Sequence, residues 1–393
     1  MIFLASSGIA SSGRQMVIIA VPKETAPGEK RVAMVPEVAL RLVKGGAEVR
    51  LETGAGASAY YPDSQYQAVG AKLVSDPKAL YSGAQIVVKV QPPTPAEAAA
   101  YAPGTIVIAL VNASRNLDSV KAMRDLGLTA FALELLPRIT RAQSMDVLSS
   151  QATVAGYRAV LLAAQETPKL LPMLTTAAGT IRPANALILG AGVAGLMAIA
   201  TAKRLGAIVT GYDVRRAAGE QVRSLGAKFL ELPINAEGTG GYARELTPEE
   251  KAMEKAMVDK AVAAADLVIT TANIPGRKAP RLIGKEVVSA MKPGAVIVDM
   301  AAESGGNCEL TQPGQKTVVN GVVILGPLNL PSDLPFHSSE MYSKNILSFL
   351  GLIIGKDNQI VQPFADEILV ASLLVQGKEV KNAMVRDLLG GPK

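Results

Sequence analysis

The segment Ala186-Leu-Ile-Leu-Gly190-Ala-Gly192-Val-Ala-Gly195-Leu-Met-Ala-Ile-Ala200 reads as a strand, a turn and a helix in immediate succession. The apolar residues Ala186 to Leu189 predict a buried strand. Three glycines follow in the pattern G-x-G-x-x-G, and an Ala-rich helix is expected from about Val193. Gly190 permits the tight turn out of the strand, Gly192 lets a pyrophosphate approach the backbone, and Gly195 brings the helix close to the sheet. The helix N-terminus offers unbonded N–H groups and a partial positive charge to the phosphates.

The next apolar run, Ala207 to Tyr212, ends in Asp213, 23 positions past Gly190. An acid at that place accepts a hydrogen bond from the adenosine ribose 2′-hydroxyl. Strand, turn, helix, strand and acid fall in the order that a dinucleotide needs; an ordinary glycine turn with a surface aspartate would not require it. A carboxylate there repels a 2′-phosphate and favours NAD over NADP. Arg215 and Arg216 cut the other way, because nearby arginines can hold a 2′-phosphate, although solvated charge at a helix start accounts for them equally. The reading sides with Asp213 and takes NAD as the cofactor.

With 393 residues the chain has room for two domains. At 49% hydrophobic and 19% charged residues it can build a substantial core, which excludes global disorder. Aromatics are only 4%, so that core must be aliphatic. The net charge of +6 is scattered through helices, which suits solubility and not nucleic-acid binding. A single cysteine, Cys308, excludes an internal disulfide framework and fits a reducing compartment. Cys308 and the single histidine, His337, cannot make a zinc site by themselves, and no metal is expected. No apolar run reaches the length of a membrane span; the nearest to one, Ile346 to Ile354, is too short and is flanked by Lys344 and Lys356.

Residues 1–15 lack the basic start and long apolar stretch of a signal peptide and read as a disordered leader. A first strand is expected over Met16–Pro22, then a charged loop, then a helix opened by Pro36 and stopped at Gly45-Gly46. Strands at Glu48–Glu52, Ile86–Val90, Thr105–Val111 and Thr129–Leu135 alternate with helices at Thr94–Ala102 and Leu117–Leu126. That alternation predicts a doubly wound parallel sheet, although no G-x-G-x-x-G follows a strand in this half. The fold class is therefore α/β, with two Rossmann-like parallel-sheet domains and a cleft between them. Residues 16–137 with about 340–393 form the first domain, completed by C-terminal helices. Residues 138–339 form the dinucleotide-binding domain, with later strands at Lys228–Leu232, Asp266–Thr271, Ala295–Met300 and Val322–Leu325.

Two loops invite function. Pro137 to Gln151 is polar, follows a strand's carboxyl end and precedes a helix expected over Thr153–Gln165. Such a loop faces the crevice where open α/β sheets bind ligands. N-capping by Ser149 or Ser150 is the plainer reading, but a cap does not call for Arg138, Gln143 and Asp146 as well. The second loop, Pro233 to Leu246, carries Gly238, Gly240, Gly241 and Tyr242, which suits either a mobile flap or a plain surface loop. Its following helix opens on Thr247-Pro-Glu-Glu250, a capping-box signature.

Taken together, Lys23-Glu-Thr, Lys30-Arg31-Val-Ala-Met-Val-Pro36, Arg138 to Gln151, Gly190 to Gly195, Asp213-Val-Arg-Arg216 and Gly240-Gly-Tyr242 resemble the NAD(H)-binding alpha-1 subunit of proton-translocating nicotinamide nucleotide transhydrogenases. That family is related in fold to alanine dehydrogenase, and the similarity runs from residue 16 to about 380. The resemblance implies an oxidoreductase subunit of the Si–Re (AB-specific) type. It would hold NADH, while a partner subunit binds NADP and a membrane-spanning component couples the transfer to proton movement. A homodimer, cytoplasmic and peripheral on the inner membrane face, is implied too. In the family the loop matching Arg138, Gln143, Asp146 and Ser149 orients the nicotinamide and its ribose, and these four are the candidate catalytic residues. Gly190, Gly192, Val193 and Gly195 would take the pyrophosphate. Asp213 would take the adenosine ribose, Val214 and Arg215 beside it are further cofactor-binding candidates, and Gly241 and Tyr242 would close over the nucleotide.

Alternatives are an alanine dehydrogenase-like amino-acid oxidoreductase and a non-catalytic NAD-sensing module. Amine oxidation needs a proton-transfer group. In alanine dehydrogenases a histidine follows the strand that matches Thr105–Val111, whereas this chain reads Leu110-Val-Asn112-Ala-Ser-Arg115. Arg31 and Lys89 match that family's substrate positions, and Glu303 its late acid. Hydride exchange between two nicotinamides needs only positioning and exclusion of water, which an Arg, Gln, Asp and Ser loop without an evident base suits.

Overall fold

The computed structural model describes residues 16–231, 247–273 and 278–390. The expected leader, the loop bearing Gly241 and Tyr242, and residues 391–393 lie outside them. The chain divides into two compact units. One gathers the residues up to Ala26, Arg31–Asp146 and Tyr342 onward; the other gathers Pro27–Lys30 and Val147–Met341. Residues 138–146 thus cluster with the first unit. The tetrapeptide Pro27–Lys30 clusters with the second because it is bonded there. Ser332 Oγ donates to the Gly28 carbonyl at 2.8 Å and accepts from the Lys30 N–H at 2.7 Å, while Asn329 Nδ2 reaches Glu29 at 3.0 Å.

In chain order the strands are β1 (Ile18–Val21), β2 (Glu48–Glu52), β3 (Lys72–Val74), β4 (Ile86–Val88), β5 (Ile106–Ala109) and β6 (Thr129–Ala132). The second unit adds a hairpin, β7 (Leu174–Thr176) and β8 (Gly179–Ile181). It continues with β9 (Asn185–Leu189), β10 (Ile208–Tyr212), β11 (Lys228–Phe229), β12 (Leu267–Thr270), β13 (Val296–Asp299), β14 (Lys316–Val319) and β15 (Val322–Leu325). The chain then returns to the first unit for β16 (Leu373–Gln376) and β17 (Glu379–Val380). The first unit's sheet runs β17-β16-β6-β5-β4-β1-β2-β3, and the second unit's runs β11-β10-β9-β12-β13-β15-β14. Each sheet reverses its strand order once, between β1 and β4 and between β9 and β12, and such a reversal is where open α/β sheets take ligands.

The central strands are continuous apolar runs because both faces are covered. Ile86–Val88, Ile106–Ala109, Leu267–Thr270 and Val296–Asp299 are buried at every position. Each unit has its own aliphatic core, around Val87, Val107 and Leu374 in one and around Ile188, Ile199 and Val298 in the other.

Two details refine the expected fold, and one expectation needs correction. Both sheets are mainly parallel, with antiparallel pairing toward one edge: β14 against β15, and β16 against both β6 and its edge neighbour β17. For β14 and β15 the cause is a two-residue Asn320-Gly321 turn with φ of +50° and +77°, the left-handed pair that closes a tight hairpin. The first unit is therefore completed at its C-terminal end by two strands as well as by helices. Finally, the helix expected from Thr153 begins at Val147 and runs to Glu166, so Ser149 and Ser150 are inside its first turn and do not cap it. Ser150 Oγ bonds back to the Val147 carbonyl at 3.2 Å, and Thr153 Oγ1 to that of Ser149 at 3.0 Å, the alternative partners that a helix gives short hydroxyls. The capping box at Thr247 forms as expected, with Thr247 and Glu250 each accepting the other's N–H.

Gly156, in the middle of the helix Val147–Glu166, fixes how that helix packs on the helix Val193–Arg204. A Cβ on Gly156 would fall 2.1 Å from the Ala194 carbonyl oxygen. In an open helix Gly→Ala stabilises by about 1 kcal/mol. Here the added methyl meets backbone, which cannot rotate away, and overpacking of this kind costs about 1–3 kcal/mol. Gly156→Ala should therefore lower the melting temperature by several degrees; an unchanged or higher value would show that the two helices do not approach so closely.

Candidate functional site

The turn after β9 is held from three sides within the second unit. Gly190 has φ of +102°, which excludes an ordinary side chain, and a Cβ on it would meet Thr271 Oγ1 at 2.4 Å. A Cβ on Gly195 would fall 1.8 Å from the Gly190 carbonyl oxygen, so the helix rests on the turn backbone to backbone. Thr271, just past β12, donates its hydroxyl to that carbonyl at 3.1 Å. Gly192 differs. It precedes the helix with extended φ and ψ of −78° and −170°, and a Cβ there would meet nothing within 4 Å. No atom of the described protein calls for a glycine at 192, whereas atoms of the protein do at 190 and 195. Among the described residues no side chain caps the helix Val193–Arg204, so its first-turn N–H groups lack that partner at the Gly192 end. Val193 is itself exposed. A backbone cradle of this kind fits the pyrophosphate of a dinucleotide, which needs N–H donors and a close approach.

Asp213 follows β10 and ties that strand to the turn. Its Oδ2 accepts the Ala191 N–H at 2.8 Å, and its Oδ1 accepts the Arg215 N–H at 2.8 Å. The Arg215 guanidinium adds two bonds at 3.0 Å, one to each oxygen. Burial by itself would raise the Asp213 pKa, but these donors outweigh it and hold the carboxyl below its usual range. Val214 between them is exposed. One face of the second unit thus brings together Gly190, Gly192, Val193, Gly195, Asp213, Val214 and Arg215. Ser149 belongs to the same unit, half-buried on the helix that packs through Gly156 on the fingerprint helix.

Arg138, Gln143 and Asp146 belong to the first unit. Their loop is a 3-10 turn over Thr140–Met145 in which Ala142 and Met145 are buried as apolar pins. Arg138 and Gln143 are exposed, and Asp146 is half-buried just before the helix at Val147. Two tethers keep the loop in place. Asn345 Nδ2 donates to the Ser144 carbonyl at 2.8 Å, and Arg141 bonds both oxygens of Asp366 at 2.6 Å. The loop is a fixed platform that presents an arginine and a glutamine, not a slack connection.

The first sheet's reversal point carries an ion cluster instead of an open crevice. Lys89 follows β4 directly and Glu24 stands three residues past β1. Lys89 Nζ lies 3.1 Å from Glu97 and 3.5 Å from Glu24, with side-chain exposures of 1%, 18% and 2% in that order. Glu24 also accepts the N–H groups of Val90 and Gln91, and Tyr342 donates to the Lys89 carbonyl at 2.6 Å. Burial pushes Glu97 upward, but Lys89 and the Thr94 N–H more than offset that. Arg31 is buried as well. Glu303 accepts the Asn329 N–H at 2.9 Å.

Sequence reasoning passes over Thr271, Asp299 and Asn307. Asp299 is fully buried and accepts from Thr270, Ala301, Asn307, Cys308 and Thr311, so it shapes the loop after β13. Asn307 then holds the carbonyls of Ala272 and Pro280 at 2.8 Å each. An acid ending an apolar strand is the available signal for Asp299; nothing local marks Thr271 or Asn307.

Comparison with known proteins agrees with this layout. The N-terminal domain of the alanine dehydrogenase/PNT family matches residues 20–155, and its C-terminal domain matches residues 159–383. The chain is 47% identical over 359 residues to a Rhodospirillum rubrum protein that constitutes the first portion of the NAD(P) transhydrogenase alpha subunit, covering 89% of this chain and 94% of that one. A solved transhydrogenase structure from Sinorhizobium meliloti superposes with a TM-score of 0.85 at 44% identity, over 92% of this chain and 99% of that one. The alanine dehydrogenase of Bacillus subtilis is more distant, 30% identical over 390 residues, with 95% of both chains covered. The chain belongs to the alanine dehydrogenase/PNT family, on the side of the transhydrogenase alpha subunits.

Proposed function

We propose that the chain is the NAD(H)-binding subunit of a proton-translocating transhydrogenase, and that hydride passes directly between NADH on this chain and NADP+ on a partner subunit. The observation that carries the proposal is Gly192: open space over a helix N-terminus, at the one glycine of the G-x-G-x-x-G pattern for which packing among the described residues has no use. In this reading the N–H groups after Gly192 hold the pyrophosphate and Asp213 accepts from the adenosine ribose. Arg138, Gln143, Asp146 and Ser149 orient the nicotinamide end, and Gly241 and Tyr242 cover it. The dihydronicotinamide supplies the hydride. What the chain must supply is orientation and the exclusion of water, because a hydrogen that leaves with its electron pair needs no acid or base on the protein.

No helix among the described residues is long and apolar enough to cross a membrane, and the proposal assigns proton movement to a membrane-spanning component. It also takes the subunit to be a homodimer, held at the inner membrane face through its partners, with AB stereospecificity.

The amino-acid dehydrogenase reading fares less well. An oxoacid carboxylate would need a free cation, yet the Lys89 ammonium already faces Glu24 and Glu97 in a buried cluster. Displacing either carboxylate would strand a charge, which costs several kcal/mol. With NAD+ and alanine, or with NADH, pyruvate and ammonia, turnover should be absent; steady alanine-dependent reduction of NAD+ would refute the proposal.

Gly192→Ala tests the cradle itself. Its backbone angles suit alanine, so the variant should melt at or slightly above the wild-type temperature. NADH affinity, read from nucleotide fluorescence, should fall at least about tenfold, as a methyl would stand where the phosphates approach. A stable variant that binds NADH as well as the wild type does would remove the site.

A further inference from the structure

The Asp213 carboxylate is the point at which the proposed site discriminates between cofactors, and its bonding is already complete. A carboxylate offers about four acceptor positions. The N–H groups of Ala191 and Arg215 fill two from the backbone side. The Arg215 guanidinium fills the other two as a fork, Nε to one oxygen and Nη2 to the other. The two sets differ in permanence. The backbone donors belong to the turn and to the strand end. The guanidinium sits on a side chain 47% exposed, whereas that of Asp213 is 8% exposed. The outward acceptor positions, which a ribose diol would use, are those covered by a displaceable arginine.

We infer that Arg215 is a specificity-determining residue that competes with the adenosine ribose for Asp213 and, once released, faces whatever stands at the ribose 2′ position. The inference rests on the NAD(H) reading and adds to it a cost and a direction. With a free 2′-hydroxyl, the diol replaces the fork bond for bond, and the arginine swings into solvent. With a 2′-phosphate, Asp213 alone would repel the ligand, and the guanidinium between them relieves the repulsion. Arg215 therefore weakens binding of the unphosphorylated cofactor and supports binding of the phosphorylated one. This narrows a preference that Asp213 sets.

The signature is a pair of affinities that move in opposite directions. Dissociation constants for NADH and NADPH are measured on the full chain, for the wild type and for Arg215→Gln. Arg216→Gln, which removes the same charge one residue away, serves as the reference for a general electrostatic effect. An exposed ion pair is a weak competitor, so Arg215→Gln should bind NADH about two- to fivefold more tightly. NADPH should bind about tenfold more weakly, and Arg216→Gln should leave the ratio of the two near the wild-type value. If both affinities fall together in Arg215→Gln, or neither changes, the competition does not exist, while a wild type that prefers NADH leaves the cofactor reading standing. A wild type that prefers NADPH, or binds neither, fails on the first titration and takes the cofactor reading and this inference with it.

Discussion

The second unit rests on backbone meeting backbone where no Cβ can intrude. Gly156 brings the helix Val147–Glu166 onto the Ala194 carbonyl, and Gly195 brings the fingerprint helix onto the Gly190 carbonyl. Thr271 closes the far side of the same carbonyl. These contacts form a stack: helix, helix, turn and strand end, each set at a distance that only glycine permits. A stack this tight resists small displacements, because close-packed interiors respond to added methylenes with strain rather than adjustment. The position of the helix N-terminus is thereby fixed by contacts behind it. Gly192, in front, is left to whatever approaches from outside.

Charge is used differently at the two sheet reversal points. In the second unit Asp213 is buried on its backbone side and open on its arginine side, so one partner is permanent and the other exchangeable. In the first unit Lys89 is enclosed by two carboxylates and roofed by neighbouring N–H groups and Tyr342. A buried pair of that kind adds little net stability over an apolar replacement, but it is costly to break. The same topological position therefore holds an acid with an exposed arginine partner in one unit and a closed structural cluster in the other.

Much of this is legible in the residues. The apolar runs, the three glycines and Asp213 are local signals, and each reports a local requirement of strand, turn or acceptor. Arg138, Gln143 and Asp146 stand out because a capping loop has no need of them. What escapes notice depends on partners distant in sequence. Gly156 looks like a weak spot in an Ala-rich helix until Ala194 packs on it. Thr271 matters only because β12 lies beside β9. Lys89 gives no sign that Glu24 and Glu97 enclose it. Hydroxyls favour helix starts, which points to Ser149 or Ser150 as a cap, but the helix begins at Val147, ahead of both. Asn320-Gly321 is a local signal too, a readable hairpin turn, and the antiparallel edge follows from it.

Amide groups that side chains of the described residues leave uncapped at the start of one helix carry the proposed site. Backbone hydrogen exchange at residues 192–195, followed with and without saturating NADH, observes those groups directly. Nucleotide binding should slow exchange at these amides, and to a smaller extent around Asp213. Binding that protects other segments while leaving exchange at 192–195 unchanged would contradict the account.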